Sequence, residues 1–233
     1  MAGLLDEAIQ AHGGLEAFEA KRELHARIRS GGFALRSKRG RPGALADYAA
    51  TIDTREPRMV FHGYPRTGRR GVFERDRVRI EDDQGEVLTE RSDPRSAIRS
   101  LRRNLWWDQL DLLHFAGYAI WNYFCTPFLF ARPGFEVEQL DGRRLRVLFP
   151  PDVPTHSREQ TFYFDDSGRL TRLDYTAEVF GGWARAVHLC EEHREFDGIL
   201  FPTRRRVYPR RRDGRPRPFP TLVWIDVESV SRA

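Results

Sequence analysis

Lysine is almost absent. Lys21 and Lys38 are the only two, so the basic side of the composition, 39 residues against 34 acidic ones, is carried by arginine. The net charge of +5 is modest for 233 residues and is not the footprint of a nucleic-acid binder. Cysteine is equally scarce. Cys125 and Cys190 lie in unrelated segments with no Cys-x-x-Cys or Cys/His spacing, which excludes a zinc framework and fits two buried small hydrophobes in a reducing compartment. The first ten residues carry Asp6 and Glu7 and no basic segment leading into an apolar one, so they do not read as a secretory signal, and a cytoplasmic protein is expected. The longest apolar run, residues 115–131, is seventeen residues broken by Asn122 and Pro127. A spanning helix needs about 20, so a buried or interfacial helix is expected there, and surface contact with a membrane stays open. A Ser-His-Asp order, a GxSxG elbow, an HExxH motif and a Gly-rich phosphate loop are all missing, which leaves hydrolase, zinc-protease and nucleotide readings without support. No metal and no cofactor is expected. Nor does any period of about 20 to 50 residues recur, which discards propellers and solenoids.

What the chain does have is aromatic mass: 16 Phe, 7 Tyr and 5 Trp in a composition that is 40% apolar. That is enough for a substantial core, and one domain over residues 1–233 is expected. Leu4, Leu5, Ala8 and Ile9 fall at helical spacing before Gly13 and Gly14, whose missing side chains favour a helix end. Residues 15–21 add a further turn. Short runs rich in Val, Ile, Phe and Thr then follow at 24–35, 45–54, 59–64, 69–73, 78–81 and 87–90, with turn residues such as Asp82, Asp83 and Gly85 between them. This is an antiparallel meander. Asp93 caps a helical segment opening on Pro94, and helical pattern continues with a break near Trp106 as far as Pro127. Strand patterns resume at 135–140, 143–149, 159–165, 170–178, 183–195, 200–208 and 221–230, with Gly168 and the Asp197–Gly198 pair as hairpin signals. The fold class is therefore mainly β (α+β), a strongly curved antiparallel sheet with a helical insert at 93–131. Such a sheet must bury one face, either by closing into a barrel or by taking helices into its concave side.

Three stretches carry a resemblance: His12-Gly13-Gly14-Leu15-Glu16 between a helix and the first strand, 164–170 (FDDSGRL) as strand-turn-strand, and 195–203 (EFDGILFPT) near the end. In this order they resemble the lipoprotein-carrier superfold of the LolA and LolB kind, in a cytoplasmic relative without a signal peptide. The resemblance implies an unclosed β-barrel plugged by helices around an apolar cavity, used in the family to hold acyl chains. It assigns no catalytic residue.

The segment 106–130 is the richest in functional residue types. At helical spacing Asp108, Asp111, His114, Tyr118 and Asn122 form one polar stripe, with Trp107 and Phe115 in the same sector. The stripe either faces solvent, as on an ordinary amphipathic helix, or faces an enclosed cavity, where Tyr118, His114 and Asn122 orient a ligand's polar end. Trp106, Trp107, Asp111, His114, Phe115, Tyr118, Trp121, Asn122 and Tyr175 are the expected ligand-binding residues. In the C-terminal strands, alternation puts Ala184, Ala186, His188, Cys190 and Glu192 on one face, and Asp174, Thr176 and Glu178 on one face of the strand before it. Glu178 or Asp174 can then pair across with Arg185, or meet His188. His188 and His193 fall on opposite faces, which argues against a zinc pair. His156, where a loop enters a strand, can serve as a general base beside a cavity mouth with an ordinary pKa of about 6.5. His156, His188 and Glu178 are accordingly the catalytic candidates. The Arg-rich stretch 204–217 reads as a solvated hairpin, with nucleic-acid and anionic-headgroup contact as weaker alternatives. The leading expectation is a protein that encloses an apolar or amphipathic small molecule, with 106–130 as lid or plug. The alternative is a cofactor-independent cyclase or isomerase acting on a hydrophobic substrate by proximity and acid/base catalysis.

Overall fold

The structure, a computed structural model, describes residues 3–37, 45–98 and 106–232. Strands β1 (Glu23–Gly31), β2 (Asp47–Asp53), β3 (Arg58–His62), β4 (Arg69–Glu74), β5 (Arg77–Asp82) and β6 (Val87–Ser92) precede the helical insert. After it come β7 (Glu136–Leu140), β8 (Arg144–Leu148), β9 (Glu159–Phe164), β10 (Leu170–Thr176), β11 (Arg185–Phe196), β12 (Ile199–Pro209) and β13 (Val223–Arg232). They form one curved antiparallel sheet in the order β6-β5-β4-β3-β2-β1-β13-β12-β11-β10-β9-β8-β7. Two meanders are thus joined by the pairing of the first strand with the last, Leu24 opposite Arg232 through Gly31 opposite Trp224. The barrel is unclosed because β6 and β7 are both edges. Each is largely exposed and carries charge, Glu90 and Arg91 on one and Glu136 and Glu138 on the other, as edge strands that must not pair further usually do.

This topology dictates where the helices lie. The insert connects the two free edges, so its chain has to cross the open, concave side of the sheet. Helices α1 (Leu4–Ala11), α2 (Leu15–Glu19), α3 (Phe33–Ser37) and α4 (Pro94–Ile98) are short, and α5 (Gln109–Cys125) is the long one. Pro94 opens α4 and the Asp93 carboxylate accepts from Ser96 N at 3.3 Å, as the capping pattern predicts. The portion of the expected helical pattern at 99–105 lies outside the described residues. Asp108 and Asp111 form a reciprocal capping box at the start of α5, Asp111 N to Asp108 Oδ1 at 2.9 Å and Asp108 N to Asp111 Oδ2 at 3.1 Å. From Leu113 to Cys125 every residue of α5 is buried, the mark of a helix surrounded on all sides. It lies so close to the sheet that a Cβ on Gly117 would stand 2.3 Å from Phe73 Cγ, and one on Gly71 of β4 would stand 2.7 Å from Leu113 Cδ1. Among the described residues no helix is long and apolar enough to cross a membrane.

Some boundaries differ from the sequence pattern. The expected strand 24–35 ends at Gly31, because Gly32, at φ +125°, turns the chain into α3. Residues 177 and 178 leave β10, and Glu178 opens a 3-10 turn, Glu178–Phe180. The three stretches that carry the family resemblance meet at one place. Leu200 N donates to His12 O at 3.0 Å, and Leu170 N to His12 Nε2 at 3.4 Å. The Asp197–Gly198 turn, with both φ positive, is the tight hairpin its sequence indicates.

Candidate functional site

Beyond Asp108, which is exposed at the helix start, the polar stripe of α5 does not face water. Asp111, His114, Tyr118 and Asn122 are all buried, so the solvent-facing alternative is overturned. The reason is that α5 has the sheet on one side and the loop 150–157 on the other. Asp111 is neutralised by Arg91 of β6 at 2.8 Å, an ion pair that pins the start of the helix to one sheet edge. Asn122 Nδ2 donates to Tyr118 O at 2.7 Å and to Pro154 O at 2.8 Å, holding the loop against the helix. Tyr118 Oη lies 3.3 Å from His156 Nδ1, and Tyr123 Oη lies 2.7 Å from His156 Nε2. A neutral imidazole has one donor and one acceptor nitrogen, so the two tyrosine hydroxyls meet it in opposite roles. The imidazole stacks on Tyr175 with ring centroids 4.2 Å apart and planes 6° from parallel.

His156 is therefore not a loop-surface histidine with an ordinary pKa. Burial lowers it to about 3, with the positive charge of Arg95 adding to the effect. Its loop is fastened by Arg95 Nη1 to Thr155 O at 2.7 Å and by Gln160 Nε2 to Thr155 Oγ1 at 2.5 Å. His188 is sealed in as well, edge-on to Tyr123 at 4.6 Å, with neither ring nitrogen finding a hydrogen-bond partner among the described residues. Burial holds its pKa well below the usual value. Beside it Arg205, itself buried, lies 4.9 Å over the Tyr123 ring and donates to Cys190 Sγ and Tyr123 O at 3.2 and 3.1 Å. The cross-strand pairings expected for β10 and β11 take other partners. Asp174 is bound by Arg172 at 2.7 Å and Arg210 at 3.3 Å, and it lies opposite Val187, on the face away from His188. Glu178 is held by Arg95 at 2.8 Å. His193, only half-buried, bonds Leu170 O at 2.9 Å, and no metal-binding cluster occurs among the described residues.

Space for a guest lies at one end of the sheet. There a groove of about 460 Å³ runs between α3, the 3-10 turn after β10, and the starts of β11 and β13. Its floor is Phe115, Tyr175, Ala186 and Val207, with His156 at its deep end and Phe180, Trp183 and Val223 along its walls. Four of these residues, Phe115, Tyr175, Val207 and Val223, also border a smaller space of about 30 Å³ that reaches inward to Tyr48, Tyr123 and Ile225. The rest of the concave side is filled by α5. A second, polar cleft of about 490 Å³ opens next to α4 and includes Arg75, Arg95, His114, Arg158 and Glu178.

Of the expected ligand residues, Phe115 and Tyr175 line the groove, and His156 of the catalytic candidates joins them. Trp107 stands behind Phe115, stacked on Phe180 with centroids 5.2 Å apart. Tyr118 lies under His156. Trp106 is exposed, and Trp121 points to the other side of α5, where its Nε1 donates to Asp53 O at 2.9 Å. His114 and Glu178 border the polar cleft, and His188 sits behind Tyr123 and Tyr175. Among the groove residues that sequence reasoning missed are Phe33, Phe180, Trp183, Val207 and Val223. One signal was available: small Ala184 and Ala186 alternate onto the inward face of β11, where a curved sheet leaves room.

No family model and no curated protein matches the chain. Among solved structures, the chain is similar to a LolA superfamily protein from Nitrosomonas europaea, with a TM-score of 0.45 and 11% identity over 94% of this chain and 91% of that one. A DUF1329 family protein from Desulfovibrio piger is similar with a TM-score of 0.38 and 14% identity over 98% and 91% of the two chains. The lipoprotein LppX of Mycobacterium tuberculosis is similar with a TM-score of 0.32 and 12% identity over 99% and 98%.

Proposed function

We propose that the protein binds an apolar or amphipathic small molecule in the groove at the Phe115–Tyr175 end of the sheet. The observation that carries this reading is the groove itself. At about 460 Å³ it falls in the range of about 300 to 1,000 Å³ typical of small-molecule sites, mostly apolar with a few polar groups. An apolar guest burying on the order of 200 Å² there would gain about 5 kcal/mol from desolvation before the costs of association. A polar end would face the rim, where Arg185 and Arg210 stand, or reach inward to the His156 and Tyr175 rings.

The test is displacement of an anthroyloxy-labelled fatty acid, with native mass spectrometry of the purified protein alongside. Val223→Trp and Ala184→Trp place an indole in the groove at positions that are only partly buried, so the fold should tolerate both. Each is expected to weaken probe binding at least tenfold while leaving the thermal midpoint within a few degrees. Probe binding equal to that of the unaltered protein in both variants, or no probe uptake by any of them, would overturn the proposal.

A further inference from the structure

Antiparallel pairing brings the end of β1, the start of β13, the end of β12, the start of β11 and the end of β10 to the same end of the sheet. The segments leaving these strands therefore share one surface around the groove. Backbone bonds fasten them together: Phe33 N to Thr221 O at 3.0 Å, Arg210 N to Arg185 O at 2.9 Å and Arg217 N to Pro209 O at 2.8 Å. On this surface stand the two most exposed large apolar side chains of the described residues, Trp183 at 82% and Phe219 at 80%, with Phe33 at 56%. Around them are Arg36, Arg185 and Arg217, all exposed and none in a salt bridge among the described residues, while the 211–215 turn lies against the outer face of β10, where Arg172 Nη2 donates to Gly214 O at 2.6 Å. The acidic groups nearby are engaged. Glu178 is held by Arg95 at 2.8 Å, and Asp174 is buried beneath Arg172 and Arg210. A folded protein does not ordinarily leave a tryptophan and two phenylalanines protruding from a field of unpaired guanidinium groups, since apolar surface of this kind is normally covered.

We infer that this end of the molecule docks on an anionic lipid bilayer. Tryptophan and phenylalanine tips enter the headgroup region, and the arginines around them meet lipid phosphates. Charge complementarity selects this partner: a hydrocarbon phase alone would not call for the arginines, and a nucleic acid would not call for the protruding aromatics. The surface shares Phe33 and Trp183 with the groove wall, and it would set the groove mouth against the membrane.

The experiment is co-sedimentation of the full chain with vesicles of phosphatidylcholine alone and with phosphatidylglycerol as about a third of the lipid. Binding is expected to the second kind only, and to fall when salt is raised from about 0.1 to 1 M, which shortens the screening length from about 10 to 3 Å. The triple variant Arg36→Ser, Arg185→Ser, Arg217→Ser should lose about fivefold in partitioning for each charge removed. Trp183→Ser with Phe219→Ser should lose at least tenfold and abolish the quenching of tryptophan emission by brominated lipid. All five positions are exposed, so unchanged circular dichroism is expected and is the control. Partitioning that ignores lipid charge, or that either variant leaves intact, overturns the inference. So does retention on duplex DNA that outcompetes the vesicles, or a dimer at the same concentrations that Trp183→Ser dissolves. Val223→Trp, which fills the groove, should leave vesicle binding unchanged, so failure here and failure of the ligand-binding proposal are separate results.

Discussion

Gly117 shows how much a single missing Cβ decides. The helix bearing it can approach β4 only because nothing stands between its backbone and the Phe73 ring, and a methyl group there would sit 2.5 Å from Phe73 Cβ as well. Gly117→Ala must push α5 away from the sheet or turn Phe73 out of its rotamer, and overpacking of this kind costs about 1 to 3 kcal/mol. A lowered urea midpoint at unchanged slope is expected, and a stability equal to that of the unaltered protein would show that α5 is free to shift. His156 gives the complementary lesson. Its residue type marked it for attention, but its role depends on Tyr118, Tyr123 and Tyr175, which reach it from two other elements. A sequence position carries no information about such long-range company, so the imidazole expected at a cavity mouth proves to be buried among three tyrosines at the deep end of the groove.

At the scale of elements, α5 was legible in its start and its periodicity but not in its surroundings. The Asp108–Asp111 capping box is a local device, and it forms where the sequence places it. Asp108 also accepts from Arg91 Nη2 at 2.6 Å, so Asp108→Ala removes a cap and an ion-pair partner together. Loss of a cap costs about 1 kcal/mol, within a range of about 0.5 to 2, and the exposed half of the ion pair adds little. A loss of about 1 to 2 kcal/mol in chemical denaturation is expected, while Asp108→Asn, which keeps a capping oxygen, should recover most of it. The polar stripe is a property of spacing along the helix. Its burial follows from the loop 150–157 folding over it, and no periodicity within α5 could report that. The strands fared similarly. All thirteen runs became strands, with errors at ends such as Gly31 and Thr176, where a glycine or a hydrogen bond to another segment stops the ladder.

For the molecule as a whole, the buried histidines predict acid lability. Burial lowers His12 to about 4 and His114 and His156 to about 3, and drives His188 well below its ordinary value. In the unfolded chain each returns to about 6.5. Between these values the unfolded state binds more protons than the folded one, so stability is complete above about pH 6.5 and falls as pH drops toward 4 and 3. Urea midpoints should be level from pH 7 to 8 and decline steadily from about 6.5 downward. Replacing His188 by Phe, which keeps the ring against Tyr123 and removes the titrating group, should flatten that decline. A midpoint that holds level down to pH 4 would mean that these rings reach water.

The sequence alone determined the class, the strand runs and the capped helix, because alternation, capping and turn chemistry act over a few residues and are written where they act. It also determined that the two meanders are linked by an insert. Only the tertiary structure decided that β1 pairs with β13, which leaves β6 and β7 as free edges and sends the insert across the concave side. From that follow the burial of the stripe, the packing of α5 into most of the cavity, and the placing of the remaining space at one end beside Trp183. These outcomes rest on contacts between residues far apart in the chain, whose free energies depend on packing and desolvation that no local pattern records.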